Sequence, residues 1–263
     1  MTHKEPETGV YDHPQWWDLA FADETETEQR FLRELASDRL QIQSPRVYEP
    51  GCGGGRLVHA MADAGWGVEA CDSNGACVRY VRERLQAAGL AARVVQADMA
   101  MHRTPELVDL AVCPVNTFRH LLSEEAAQRH LAAVADSVRV GGRYVIGLHL
   151  APPDTDPEDE EAWSAAGSIG EVDARLLVTS FNRRTRRETL RFDLAIRPVD
   201  ADPFSLREEF AYRLYTAGQL RQTVTASGRW RIESVHDFWY DLSEPLTLDN
   251  ERGDTVLVLE RVG

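Results

Sequence analysis

A glycine-rich run between two acidic residues is the part of this sequence best suited to chemistry. Residues 47–56 read Val-Tyr-Glu-Pro-Gly-Cys-Gly-Gly-Gly-Arg, so a short apolar strand stops at a glycine turn and a helix follows. Glu49 stands just before Gly51, and Asp72 follows about twenty residues later, the spacing typical of an acid that binds a ribose. Because glycines let a backbone approach a ligand closely, the run indicates a site for a nucleoside-containing cofactor.

The spacing of the glycines distinguishes between the classes of cofactor that such a turn could bind. A dinucleotide fingerprint reads G-x-G-x-x-G and would need a third glycine where this chain has Arg56. The phosphate loop of nucleotide hydrolases is also excluded, since no Gly-Lys-Ser/Thr follows. An ordinary strand–turn–helix junction is the simplest alternative, but Glu49 and Asp72 fall in register with the glycines. With Glu49 before it, the run resembles the first motif of class I S-adenosylmethionine-dependent methyltransferases.

That resemblance implies a set of residues that bind S-adenosylmethionine. The glycine turn would lie beside the methionine part, Asp72 would hold the ribose, and Asp98 with Met99 would meet the adenine. Asp98 has a competing role as a helix cap, and Arg56 would either bind the cofactor carboxylate or be a solvated helix arginine. The implied cofactor residues are Tyr11, Trp16, Glu49, Gly51, Cys52, Gly53, Arg56, Asp72, Ser73, Asp98, Met99, Pro114 and Asn116.

Two aromatic-rich stretches supply candidates for catalysis and substrate binding. Residues 11–18 resemble the N-terminal segment that folds over the cofactor in this family; Tyr11 and Trp16 are the covering side chains, and Trp17 anchors the helix. Residues 116–122 resemble the N-x-x-x-H-L stretch of methyltransferases acting on amino sugars and other amines. His120 is therefore the candidate general base, with a structural role as its alternative, and Tyr11 joins it as a catalytic residue. The candidate substrate-binding residues are Phe118, His149 and Tyr212.

Composition limits the partners. The chain has 263 residues, 43% of them hydrophobic, which is enough for one large α/β domain. A formal net charge of −14 argues against nucleic acid and suits a neutral or cationic small molecule. We find no apolar run long enough to span a bilayer and no signal-like start, so we expect a cytoplasmic protein without a membrane partner; a homodimer stays open. No C-x-x-C pair is present, so we expect no metal and four buried cysteines.

Strand and helix patterns alternate after residue 45 and predict the elements that position these residues. We expect a Rossmann-like, doubly wound, mostly parallel seven-stranded sheet, completed by an antiparallel hairpin near the C-terminus. A helix ending at Gly141-Gly142 should precede a fifth strand over 144–150. The single domain divides into an N-terminal helical lid (1–45), the core (46–150 and 216–263), and an acidic loop with an antiparallel substrate-side insertion (151–215).

Alternating apolar residues predict the insertion. Leu190, Phe192, Leu194 and Ile196 fall on one face of a strand, and a second alternating segment spans residues 206–215. The acidic stretch 154–161 reads as a solvated loop or lid edge.

We expect methyl transfer to a small-molecule acceptor by in-line displacement, because a sulfonium is already activated and the protein must chiefly align the reactants and exclude water. An amine nitrogen is the favoured acceptor. The alternatives are an O- or C-methyltransferase, a nicotinamide-dependent oxidoreductase, and a cofactor-binding module without chemistry.

Overall fold

A seven-stranded sheet forms the centre of the molecule. The computed structural model describes residues 9–154, 156 and 160–263. The strands follow the order β10-β11-β5-β4-β1-β2-β3, with parallel pairing from β3 to β5 and antiparallel pairing of β11 to β5 and to β10. The strands are β1 Arg46–Pro50, β2 Gly67–Asp72, β3 Arg93–Gln96, β4 Val108–Cys113, β5 Val138–His149, β10 Trp230–His236 and β11 Asp254–Arg261. The predicted mostly parallel sheet and its closing hairpin are confirmed.

Helices cover both faces of this sheet, which separates two apolar cores. The central strands are buried along most of their length, as expected when crossover helices lie on each side. Since the carboxyl ends of β1, β2 and β4 meet at one edge, the loops that follow them form one surface. The helices are α1 Pro14–Ala20, α2 Thr25–Leu35, α3 Arg56–Asp63, α4 Gly75–Ala88, α5 Glu124–Ser137 and α6 Ala217–Ala226.

The prediction that Gly141 and Gly142 end a helix was wrong. Helix α5 ends at Ser137, and both glycines lie inside β5. A side chain at position 142 would put its Cβ 2.6 Å from the Asp109 carbonyl oxygen. The glycine is therefore needed for close approach of β5 to β4, not for a helix end.

The antiparallel insertion follows β5 and forms a separate sheet in the order β6-β7-β8-β9. Its inner face carries the predicted row of Leu190, Phe192, Leu194 and Ile196, all buried. This face packs against α1 in a third apolar cluster. The strands are β6 Glu160–Gly167, β7 Gly170–Asn182, β8 Arg187–Pro198 and β9 Phe204–Arg213.

Strand β6 was missed by the sequence prediction, which treated 154–161 as a loop. The strand begins at Glu160, within that acidic stretch, and Arg175 on β7 pairs with the Glu160 carboxylate. Positions 155 and 157–159 of the acidic stretch, and positions 1–8 of the predicted lid, lie outside the described residues.

The predicted helical lid is a series of short elements. Turns of 3-10 helix at Val10–Asp12 and Ala22–Glu24 flank α1, and a π-helical turn over Ala36–Leu40 ends α2. None of the helices in the described ranges is long and apolar enough to cross a membrane. All four cysteines are buried and unpaired, as predicted.

Candidate active site

The glycine turn lies between helix α1 and the loop that follows β4. Gly51 has a φ of +73°, and a Cβ there would lie 2.7 Å from the Thr117 methyl group in the loop after β4. At Gly54 a Cβ would lie 2.2 Å from the Asp18 carboxylate of α1. The turn therefore needs glycine both for its left-handed backbone and for the close approach of its neighbours.

Asp72 ties the turn to the second strand. Its Oδ2 accepts a hydrogen bond from the Gly53 amide at 2.8 Å, and its Oδ1 accepts one from the Asn74 amide at 2.8 Å. Burial raises the carboxyl pKa, while both amides favour the ionised form. Each oxygen keeps lone-pair capacity for a further donor such as a ribose hydroxyl.

A cavity of about 380 Å³ opens between the glycine turn, α1 and the insertion sheet. The predicted site residues that line it are Glu49, Gly51, Cys52, Gly53, Arg56, Pro114, Asn116, His149 and Tyr212. The sequence prediction missed several other lining residues, which are aromatic or acidic and come from α1, the segment after it, the insertion and the C-terminal region: Trp17, Phe21, Asp23, Glu24, Glu161, Trp163, Phe192, Phe210 and Phe238.

Trp17, not Trp16, is the tryptophan that covers the glycine turn. Its indole lies 3.9 Å from the position of a Cβ on Gly53. Trp16 is 6% exposed and packs edge-on against Phe204 of β9, with ring centroids 6.1 Å apart. The predicted roles of the two neighbours are therefore exchanged, because α1 turns residue 17 towards the site.

Phe118 was wrongly predicted to bind substrate. The side chain is fully buried in the core, where its ring packs against His130 and Tyr215.

The residues predicted to contact the ribose and the adenine lie outside the residues that line this cavity, and so does Ser73; the predicted contacts are Asp72, Asp98 and Met99. Asp98 is exposed, and its Oδ1 accepts the Ala100 amide at 2.8 Å, so the capping interaction is present. Met99 packs against the core, and the exposed Ser73 contributes its carbonyl oxygen to Gln96.

Arg56 is neutralised within the protein. Its guanidinium makes a two-point ion pair with Glu28 of α2, with Nη2 2.9 Å from Oε1, and its Nη2 lies 3.6 Å from Glu24. Glu28 is buried. The solvated-helix alternative is therefore excluded, and a cofactor carboxylate would have to compete with two protein carboxylates for this arginine.

Glu49 is a buried carboxyl with an unsatisfied oxygen. The residue is 4% exposed and lines the cavity, and among the described residues its Oε2 has no hydrogen-bond partner. Burial raises its pKa to about 8, against the opposing effect of Arg56. A buried acceptor without a partner is costly, so a donor brought by a ligand would be bound well here.

Tyr11 and His120 meet beside the cavity. The Tyr11 hydroxyl lies 3.3 Å from His120 Nε2, and the Tyr11 ring packs against Trp17 and Phe210 of the lining. Burial and the charge of Arg119 lower the pKa of His120 to about 4, so the imidazole is neutral near pH 7. Burial raises the pKa of Tyr11, which keeps its proton. The two predicted catalytic residues are thus brought together.

A second cavity of about 390 Å³ adjoins the first. The two share Asn116, His149, Glu161, Leu176 and Tyr212. Carboxylates from several elements border the second cavity, together with Arg119 and Arg183: Asp156, Glu161, Glu188, Glu251 and Asp254.

Comparison with known proteins agrees with this fold. Residues 47–142 match the family model described as a methyltransferase domain. The matched segment contains the glycine turn and marks a methyltransferase domain, and the enzyme transfers a methyl group from S-adenosylmethionine. Its cofactor is S-adenosylmethionine. A search of curated proteins finds no match.

Several solved structures share the fold across nearly the whole chain. One is an S-adenosylmethionine-dependent methyltransferase from Clostridium acetobutylicum ATCC 824, with 14% identity, a TM-score of 0.76 and 97% of each chain covered. Another is the sugar N-methyltransferase KedS8 from Streptoalloteichus sp. ATCC 53650, with 16% identity, a TM-score of 0.72, and coverage of 100% of this chain and 97% of that one. A third is CalS10, an amino pentose methyltransferase from Micromonospora echinaspora, with 16% identity, a TM-score of 0.68, and coverage of 99% and 100%.

Proposed function

We propose that this protein methylates an amine nitrogen on a small, hydroxylated molecule such as an amino sugar. The observation that carries the proposal is the lining of the first cavity, where aromatic rings stand beside carboxylates. Aromatic faces attract cations, and carboxylates accept hydrogen bonds from amine and hydroxyl groups. The names of KedS8 and CalS10 support the same class of acceptor.

The cofactor residues that we propose are those whose geometry fits the group. Gly51 and Gly53 expose backbone at the cavity, Asp72 lies at the end of β2 for the ribose, and the unpartnered Oε2 of Glu49 suits an ammonium donor. Bound there, S-adenosylmethionine would supply an activated methyl group on a sulfonium. Trp17 would cover the turn and exclude water from this end of the cavity.

The acceptor nitrogen would react as the free amine, since only that form has a lone pair for displacement, and an acceptor that binds as an ammonium would first have to lose its proton. His120, with a pKa of about 4, is a weak base at neutral pH. We therefore propose that His120 accepts a hydrogen bond from Tyr11 and so fixes its hydroxyl beside the cavity. The second cavity would hold the rest of the acceptor, and its carboxylates would disfavour a phosphorylated group there.

A panel of paired acceptors tests this proposal. Amino sugars and other small amines are compared with analogues that carry a hydroxyl in place of the amine, and release of S-adenosylhomocysteine is measured. We expect turnover with at least one amine and none with its hydroxyl analogue. Turnover of hydroxyl analogues alone would replace the proposal with O-methylation.

A further inference from the structure

Arg119 is a buried arginine that joins the loop after β4 to the insertion sheet. Arg119 is 4% exposed, and its guanidinium forms an ion pair with the Glu188 carboxylate of β8. Nε donates to the Arg213 carbonyl oxygen of β9 at 3.2 Å, and the guanidinium lies over the Tyr212 ring, 4.6 Å from its centroid. The remaining donor, Nη1, reaches Asn116 Oδ1 at 3.1 Å.

These contacts determine which way the Asn116 amide points. Oδ1 accepts hydrogen bonds from both Arg119 Nη1 and the backbone amide of His149, the latter at 2.9 Å. If the Asn116 amide were flipped, its NH₂ group would face these two N–H donors and could not accept from them, so the oxygen must occupy this position. The amide nitrogen, Nδ2, therefore donates to His149 Nδ1, 3.0 Å away.

The amide in turn determines the tautomer of His149. Because Nδ1 accepts from Asn116, the ring proton is on Nε2, which lies 3.2 Å from the Asp254 carboxylate. The ring packs against Phe238 with centroids 5.0 Å apart and lines both cavities. His149 is thus held between two partners as part of the cavity wall.

The backbone of the same loop is in a conformation that needs support. Asn116 has a φ of +64°, and the β-branched Val115 has a φ of +24°. Such values persist in non-glycine residues only where surrounding contacts enforce them. The backbone N–H of Asn116 donates to the Gly147 carbonyl oxygen at 2.9 Å, and the Asn116 side chain is held by Arg119 and His149.

We propose that Arg119 is a positioning residue for methyl transfer: by occupying Asn116 Oδ1, it aims the amide at His149 and holds that ring in the Nε2–H tautomer. The kinetic consequence rests on the proposed function, whereas the tautomer does not. Since Glu188 and Arg213 belong to the insertion, the same arginine also ties the acceptor side of the cavity to the loop beside the glycine turn.

The test combines nitrogen NMR of the histidine rings with steady-state kinetics. Long-range proton–nitrogen spectra of the full chain report each tautomer, and the His149→Gln variant identifies the His149 signals among the eight histidines. Wild-type protein at pH 7 should show Nε2–H at His149. Asn116→Asp, which replaces the donor with an acceptor, should add a proton at Nδ1 while Nε2 keeps its proton towards Asp254.

Two Arg119 variants are compared with a matched arginine far from the site. Arg119→Met should give a mixture of His149 tautomers and lower kcat/KM for the acceptor by about tenfold or more, with little change in the Kd for S-adenosylhomocysteine. Arg119→Lys should rescue only in part, since an ammonium lacks the planar fork. Arg143→Met removes another buried arginine, which pairs with Glu233, and should leave the His149 spectrum unchanged.

The outcomes are distinct. An unchanged Nε2–H signal and unchanged kcat/KM in Arg119→Met would overturn the proposal, as would Nδ1–H in the wild type. If Arg119→Met does not fold, Glu188→Gln is used instead, because it weakens the ion pair that holds Arg119. This variant should also give a mixture of His149 tautomers, and an unchanged His149 spectrum would count against the proposal. If no acceptor is turned over at all, the proposed function fails, while the tautomer result still decides the role of Arg119.

Discussion

The carboxylate of Asp72 accepts the backbone amide of Gly53 at 2.8 Å and so joins the end of the second strand to the glycine turn. The two features that suggested a nucleoside cofactor in the sequence are thus one hydrogen-bonded unit. A second amide, from Asn74, fixes the other carboxylate oxygen, so the side chain is pre-oriented before any ligand arrives.

Replacing Asp72 should therefore weaken cofactor binding in two ways. Asp72→Ala removes the ribose acceptor and frees the turn, and we expect a loss of about 1–3 kcal/mol in S-adenosylhomocysteine affinity by calorimetry. The control is Asp109→Ala, because Asp109 also accepts a backbone amide, that of Arg46 at 2.9 Å, at the opposite end of the sheet. Equal affinities in all three proteins would remove Asp72 from the site.

Glu49 should couple cofactor binding to proton release. With a pKa of about 8, the side chain is mostly protonated at pH 7 in the free protein, and an ammonium donor would favour its ionised form. Calorimetry at pH 7 in two buffers with different ionisation enthalpies should show release of part of a proton. Glu49→Gln should abolish that release and weaken binding; identical proton release in the variant would contradict this role.

The same group should make the stability of the free protein depend on pH. A carboxyl whose pKa is raised on folding binds more protons in the native than in the unfolded state between about pH 4.5 and 8. Its contribution to stability is therefore lost as the pH rises through that window. In Glu49→Gln, Tm should fall less between pH 5 and about 8 than it does in the wild type. An equal fall in Tm in both proteins would show that other groups cause the pH dependence.

Substitution of the two neighbouring tryptophans should have different effects, one on cofactor binding and the other on the stability of the fold. Trp17→Ala should weaken S-adenosylhomocysteine binding, because the indole covers the glycine turn. Trp16→Ala should instead cost about 3–5 kcal/mol of unfolding free energy, since its ring is buried against the insertion. Calorimetry and denaturant titration of both variants measure the two effects. The reverse pattern would restore the roles expected from the sequence.

His120 should matter for turnover and not for cofactor affinity. We expect His120→Ala to lower kcat while the Kd for S-adenosylhomocysteine stays near the wild-type value, because its contact is with Tyr11. As its pKa is about 4, the wild-type rate should show no inflection from this group between pH 6 and 8. An inflection in that range that disappears in His120→Ala would identify His120 as the general base.

Tyr11→Phe removes the hydroxyl that contacts His120. It should lower kcat as much as His120→Ala does.

Periodicity was enough to predict the architecture, since every parallel strand and the buried row around Phe192 follow from local apolar patterns. Strand β6 was missed because its acidic start resembles a loop, and its pairing with β7 is a tertiary interaction. Gly142 was misread because a glycine that permits close strand approach looks the same in sequence as one that ends a helix.

The site was predictable where a motif is contiguous and not where partners are distant. Gly51, Glu49 and Asn116 were predicted as site residues because they stand at or shortly after the ends of buried strands, and all three line the first cavity. Their binding roles stay predictions. The ion pair of Arg56 with Glu28 joins α3 to α2, and no local sequence pattern predicts it. The carboxylates of Glu24 and Glu161 reach the cavity from other elements, so only the fold reveals them.

The most direct test of the account is to follow the methyl group itself. The best amine acceptor from the paired panel is incubated with the full chain and S-adenosylmethionine carrying a ¹³C-labelled methyl group, and the product is examined by NMR. Methylation of an amine nitrogen predicts label in an N–CH₃ group of the product. Label in an O–CH₃ or C–CH₃ group, or transfer of no label to any amine in the panel, would contradict it.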